Sequence, residues 1–241
     1  MPHLVWDWNG TLLDDLAVVV AATNASLATV GGPAITADEH RRDYRRPIAD
    51  YYAHLLGRPV SEAEFRALDD VFHLSYRTGL SSCRLAVDAL DAIAAWTGTQ
   101  SLLSMYFHDE LVTAVTRHGL ASYLCRVDGL RARVGGGPKA PHLRAHLDAL
   151  AVDPADCVLI GDSIDDAEAA SAVGARVVLY EGGFTHPERL RATGLPVART
   201  LLEAVAHASA HYSADHEPQV MISAREALSP HDRRDLEASQ S

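Results

Sequence analysis

The chain has 241 residues, 48% of them hydrophobic and 22% charged, with a formal net charge of -11. That length buries a full core, as one large domain or as a domain carrying an insert, and the composition is that of an ordinary soluble globular protein. The acidic balance argues against nucleic acid, whose phosphates need clustered Lys and Arg. No apolar run approaches the roughly 20 residues a membrane helix requires, so no membrane association is expected.

The first residues lack the basic start and apolar core of a signal peptide, and Asp7 lies where that core would be. Cys83, Cys125 and Cys157 are scattered and outside any CxxC spacing. They suit a reducing cytoplasm, each expected as a buried small apolar residue.

In chain order, HLVWDW (residues 3–8) is a short apolar run ending in acid and turn residues, which predicts a buried strand. Residues 13–30 read as a long helix closed by Gly31, Gly32 and Pro33. Helical patterns begin again near residues 35 and 60. Thr36 and Ser61 stand three residues before Glu39 and Glu64, the spacing of an N-cap. No strand is predicted between about residues 14 and 82, so this stretch reads as a helical insert.

The pattern then changes. Residues 85–96, 109–119, 141–150, 165–174 and 198–208 read as helices, and 100–105, 157–162 and 176–180 as strands. Continuous apolar strands alternating with helices predict a parallel sheet buried on both faces. The expected fold class is α/β. Its domains are a Rossmann-like core (1–13 and 83–210), a small all-helical cap (14–82) and a polar, aperiodic tail (211–241).

In such a sheet, ligands bind beyond the carboxyl ends of the strands. The residues expected there are Asp7 with Asn9, then Ser104, then Asp162 with Asp165 and Asp166, while Lys139 precedes a helix in GGGPKAP. Of 21 basic residues, Lys139 is the sole Lys, which suggests a place that needs a compact ammonium rather than a planar fork. Clustered carboxylates call for a cation between them, Mg2+ being the hard, oxygen-loving candidate. A hydroxyl and an ammonium beside them suit a phosphoryl group.

Other readings carry less. Asn9-Gly10 is a hairpin signal, but a helix rather than a returning strand follows. GGGPK has Pro138 and Ala140 where a Walker loop needs Gly and Ser or Thr. Arg41, Arg42, Arg45 and Arg46 read first as a solvated helix face and second as a grip for an anionic substrate. Of the thirteen His, only His108 is expected near the site.

With these elements in hand, the chain resembles the haloacid dehalogenase (HAD) superfamily of aspartyl-nucleophile hydrolases. Asp7-Trp8-Asn9-Gly10-Thr11 is similar to its first motif, Ser104 to the second, Lys139 to the third and Gly161-Asp162-Ser163-Ile164-Asp165-Asp166 to the fourth. The insert after the first motif is similar to the small helical cap of phosphoglycolate phosphatase-like members.

The resemblance implies a Mg2+-dependent phosphatase acting on a small phosphorylated metabolite, with Asp7 as nucleophile. Asp7, the Asn9 main-chain carbonyl, Asp162 and Asp166 would serve the metal. Gly10, Thr11, Ser104 and Lys139 would hold the phosphate. The departure is Asn9, since the matching Asp of the family's phosphatases is the general acid and base. Its loss typically lowers rates by about 10^2–10^4-fold. Substrates with good leaving groups, another proton donor, or a binding or scaffold protein without turnover each follow from that amide. A receiver-like domain disagrees with the length and the insert.

Overall fold

The computed structural model describes residues 2–131 and 137–215. Residues 1–208 form one compact unit, and the expected tail lies outside the described residues from residue 216 onward.

Strand β1 (His3–Trp6) is buried along its whole length, as a strand with both faces covered must be. It lies in the middle of a six-stranded sheet of order β5-β4-β1-β6-β7-β8. The others are β4 (Thr99–Phe107), β5 (Val127–Leu130), β6 (Cys157–Gly161), β7 (Arg176–Tyr180) and β8 (Val197–Ala198). Every pairing in it is parallel. Strands β4 and β5 extend to one side of β1, while β6, β7 and β8 extend to the other. β1 is therefore where the order reverses.

Helices α5 (Ala89–Ala95), α6 (His108–Arg117), α7 (Ala140–Leu150), α8 (Ile164–Val173), α9 (Pro187–Arg191) and α10 (Leu201–Asp215) accompany the strands. Leu143 and Leu147 of α7 and Ala170 and Val173 of α8 bury against Val5, Leu159 and Leu179 of the sheet.

Between β1 and β4 the chain forms α1 (Leu16–Thr29), α2 (Ala37–Asp43), α3 (Ile48–Leu56) and α4 (Glu62–Gly79). They have a small core of their own, built on Leu27, Ile35, Tyr51, Tyr52 and Leu68. Both expected caps form. The Thr36 side chain accepts from Glu39 N in a complete capping box, and Ser61 accepts from Glu64 N. A two-stranded antiparallel ribbon, β2 (Leu13–Asp14) with β3 (Arg84–Leu85), joins the outgoing and returning chain.

Several elements are not legible from periodicity. β5 reads VDGL and β8 is only two residues long, too little for alternation to register. Helix α3 starts after Pro47 and stops at Gly57, whose φ of 65° lies in the left-handed region that glycine tolerates. Cys83 and Cys157 are buried as expected, whereas Cys125 is exposed because it sits in the loop leading to β5.

Candidate active site

Asp7 follows the last residue of β1 and Asp162 the last residue of β6, adjacent parallel strands in matching register. Their carboxylates thereby reach the same edge, at the reversal of strand order where parallel sheets bind ligands. Ser104 lies within β4, where pairing with β5 becomes irregular between Leu103 and Phe107. Lys139 caps the N-terminus of α7, and Asp166 stands in the first turn of α8. The Ser163 side chain accepts from Asp166 N, and Asp166 answers by accepting from Ser163 N at 3.0 Å.

These elements converge. Lys139 Nζ donates to Asp7 Oδ1 at 2.6 Å and to Asp166 Oδ1 at 2.5 Å, and its side chain is 2% exposed. Among the described residues, Asp7, Asp162 and Asp166 each present a carboxylate oxygen within 4.8 Å of the others. Asp162 Oδ1 accepts from Thr11 Oγ1 at 3.0 Å and Oδ2 from Phe184 N at 2.5 Å. Gly10 has φ 73°, and a Cβ there would lie 2.5 Å from Asp162 Oδ2, so a side chain at position 10 would displace that carboxylate.

The electrostatics reflect this crowding. Burial pushes the Asp7 carboxyl up to about 6, against the pull of Lys139. Burial and the neighbouring Asp7 and Asp166 push Asp162 well above the ordinary carboxylate range. Burial alone would lower Lys139, but Asp166 and Asp7 outweigh it and hold the ammonium above its usual value. Three carboxylates with one ammonium thus leave uncompensated negative charge, a donor set that fits a hard divalent cation.

Asn9 occupies a second network. Its Nδ2 donates to Asp15 Oδ2 and to Tyr76 Oη, both at 2.8 Å, and its Oδ1 accepts from Ser104 Oγ at 3.2 Å. Asp15 also accepts from Gly10 N at 2.8 Å and Tyr76 Oη at 2.7 Å. Asp15 and Tyr76 are buried, and burial pushes the Asp15 carboxyl up to about 6. An acid at position 9 would face a second carboxylate where an amide now donates.

The cavity over this edge is lined by Asp7, Asn9, Ser104, Lys139, Asp162 and Asp166, together with residues of α1 to α4. Gly10 and Thr11, expected beside the phosphate, do not line it. The Gly10 N–H is taken by Asp15 and Leu13, the Thr11 N–H by Trp8 at 3.2 Å, and the Thr11 hydroxyl by Asp162. His108 does not line it either, because its ring is held by Gly129 N and Arg131. His40 and His73 line it instead, arriving from α2 and α4.

Of the four clustered arginines only Arg46 lines the cavity, with its Nε 3.4 Å from Asp165 Oδ2. Arg42 pairs with Asp38 on the exposed face of α2. Sequence reasoning missed Asp15 and Tyr76 as neighbours of the site, and it placed Arg46 there only as the second reading of its arginine cluster. Asp15 was the accessible one, six residues after Asn9 in the same turn.

Known proteins agree with this architecture. A family model described as HAD-hydrolase-like matches residues 134–208. A phosphoglycolate phosphatase of Vibrio parahaemolyticus is 26% identical over 204 residues, 79% of this chain and 88% of that one. A haloacid dehalogenase-like hydrolase from Streptococcus pneumoniae superposes with a TM-score of 0.74 at 16% identity, covering 86% of this chain and 98% of its own. A predicted phosphoglycolate phosphatase from Haemophilus somnus gives 0.66 at 16% identity, covering 84% and 95%. The structural likenesses carry the fold, and the family model and curated relatives give a similarity in sequence. In sequence the chain is thus similar to the HAD-type phosphatases.

Proposed function

We propose that this chain is a Mg2+-dependent hydrolase of a small phosphomonoester that works through a phospho-aspartate on Asp7. The observation that carries the reading is the buried ammonium of Lys139 held between Asp7 and Asp166, beside Asp162, at the end of the central strand.

Asp7, at about 6, is mostly ionised at neutral pH and is the carboxylate able to attack phosphorus. The bond from its oxygen to phosphorus forms as the bond to the leaving oxygen breaks, and water then releases phosphate and restores Asp7. Lys139 holds phosphoryl oxygens, and Asp166 keeps the ammonium in place. Ser104 binds another phosphoryl oxygen from β4. Asp7, Asp162 and the Asn9 main-chain carbonyl would hold Mg2+, with Asp166 oriented behind them. The bound ion would offset charge and polarise the phosphoryl group. Residues 14–82 act as the cap that closes over the substrate and excludes water.

Asn9 gives no proton to the leaving group and takes none from water. Its amide instead fixes Ser104 on one side and answers Asp15 on the other. The substrate must therefore depart without an acid at this position. The unpaired cysteines among the described residues support a reducing, cytoplasmic setting.

A panel of phosphomonoesters assayed with and without Mg2+, for wild type and Asp7→Asn, tests the proposal. Metal-dependent phosphate release that falls at least about 10^4-fold in Asp7→Asn is expected. If the wild type binds phosphate esters and turns none over, the non-catalytic reading suggested by Asn9 replaces it.

A further inference from the structure

Resting on that phosphatase reading, we propose that the group carried by the phosphate is a flat, uncharged aromatic ring joined through an acidic, phenol-type oxygen: the substrate is a small aryl phosphate. Two independent features of the cavity lead there.

The first is its wall. Five of the chain's eight Tyr and two of its four Phe residues line the cavity. They form two groups. Tyr44 packs edge-on to Phe184 with centroids 5.7 Å apart and stacks on His40 at 5.1 Å. Phe72 stacks on Tyr76 at 5.8 Å with planes 8° apart, and Tyr76 meets Tyr106 edge-on at 5.5 Å.

The polar ends of these rings are engaged elsewhere. Tyr76 gives its hydroxyl to Asp15, Tyr51 shares a hydrogen bond with His40 Nδ1, Tyr106 bonds Glu110 and Tyr44 bonds Arg46. What remains for a ligand is ring surface, which favours offset or edge contacts with another ring.

Charge points the same way. Beyond the phosphate end, the acids lining the cavity are Asp69 and Asp165; the cation is Arg46, already paired with Asp165, and His73 Nε2 lies 3.3 Å from Asp69 Oδ1. Burial holds His40 down to about 4, so it is neutral. No lining cation among the described residues is left for a carboxylate, such as the one a phosphoglycolate molecule carries.

The second feature is Asn9. With no acid there, the departing oxygen keeps the bonding pair and takes its proton from water afterwards. A phenol, with a pKa near 10, tolerates this far better than an alkyl alcohol, which is about as weak an acid as water at 15.7. The ring wall and the amide thus select the same chemistry from opposite ends of the substrate.

Phenyl phosphate, acetyl phosphate and 2-phosphoglycolate separate the possibilities when kcat/KM is measured for wild type, Asp7→Asn and Phe72→Ala. The expected order puts phenyl phosphate at least about 100-fold above 2-phosphoglycolate. Phe72→Ala should lower the preference for phenyl over acetyl phosphate about tenfold, chiefly through KM. Phe72→Leu takes its place if the alanine variant does not fold by circular dichroism. Asp7-dependent turnover in which 2-phosphoglycolate equals or exceeds phenyl phosphate overturns the aryl assignment and leaves the phosphatase reading standing. So does an unchanged phenyl-to-acetyl ratio in the Phe72 variants. Absence of Asp7-dependent turnover on all three removes both.

Discussion

Two polar clusters in this molecule have comparable hydrogen-bond geometry and opposite surroundings. At the edge of the sheet, Lys139 bridges Asp7 and Asp166 beneath an open cavity. Inside the sheet, Ser101 Oγ lies 2.8 Å from His146 Nε2, and His146 Nδ1 lies 2.7 Å from Asp128 Oδ2. His3 completes that chain from β1 at 2.8 Å from Ser101. Taken as distances, Ser101, His146 and Asp128 match a nucleophile, its base and an orienting acid. Yet Ser101 is 0% exposed and the cavity over the site does not touch it. The inner cluster satisfies polar groups buried between strand and helix, whereas the outer one holds charge where a ligand can arrive. Access, and charge left uncompensated, distinguish a site from a well-bonded interior.

The sharpest way to break this comparison is to remove the ammonium. Lys139→Met leaves Asp7 and Asp166 without their shared partner, and breaking a buried pair from one side typically costs about 3–5 kcal/mol. Urea unfolding should show a loss of that size, with added Mg2+ recovering part of it in the variant. A variant as stable as wild type would mean that the carboxylates do not depend on Lys139.

A smaller effect is expected at position 9. Asn9→Asp places a carboxylate against Asp15, so it should lower stability by about 1–3 kcal/mol rather than simply supply the missing acid. The exchange Asn9→Asp with Asp15→Asn keeps one donor facing one acceptor. It should recover that stability and extend turnover toward alkyl phosphates. Additive loss in the double variant would show that the two positions are uncoupled.

The smallest effects separate the clusters by pH. Burial, with His146 adding to it, holds His3 down to about 4, against 6.5 for an ordinary histidine. Its contribution to stability is therefore fully present above about 6.5 and is lost as pH falls toward 4. Asp7, raised to about 6, acts in the other direction, stabilising at low pH and losing that contribution as pH rises through 6. His3→Gln should flatten the acid loss without altering turnover at pH 7. Ser101→Ala should likewise leave phosphate release intact while lowering the unfolding midpoint. Loss of turnover in Ser101→Ala at unchanged folding would reverse the assignment of the two clusters.

Much of this was readable from the chain alone. Apolar runs ending in acids placed β1 and β6, and a parallel sheet necessarily delivers the residues after such strands to one edge, so Asp7 and Asp162 were bound to meet. The spacing of Thr36 to Glu39 and of Ser61 to Glu64 marked two capped helix starts, and the single Lys in an arginine-rich chain marked Lys139. Sequence could not show that Gly10 and Thr11 turn inward, because their partners Asp15 and Asp162 are set by the closing of the turn. Nor could it show the aromatic wall. Tyr44, Phe72, Tyr106 and Phe184 come from α2's end, α4, β4 and the loop after β7, separated by tens of residues. Local pattern determines which residues start and end each element, since propensity and periodicity act over neighbours. Only the packing of helices over the sheet decides which distant rings and charges share a cavity, because those contacts join residues far apart in the chain.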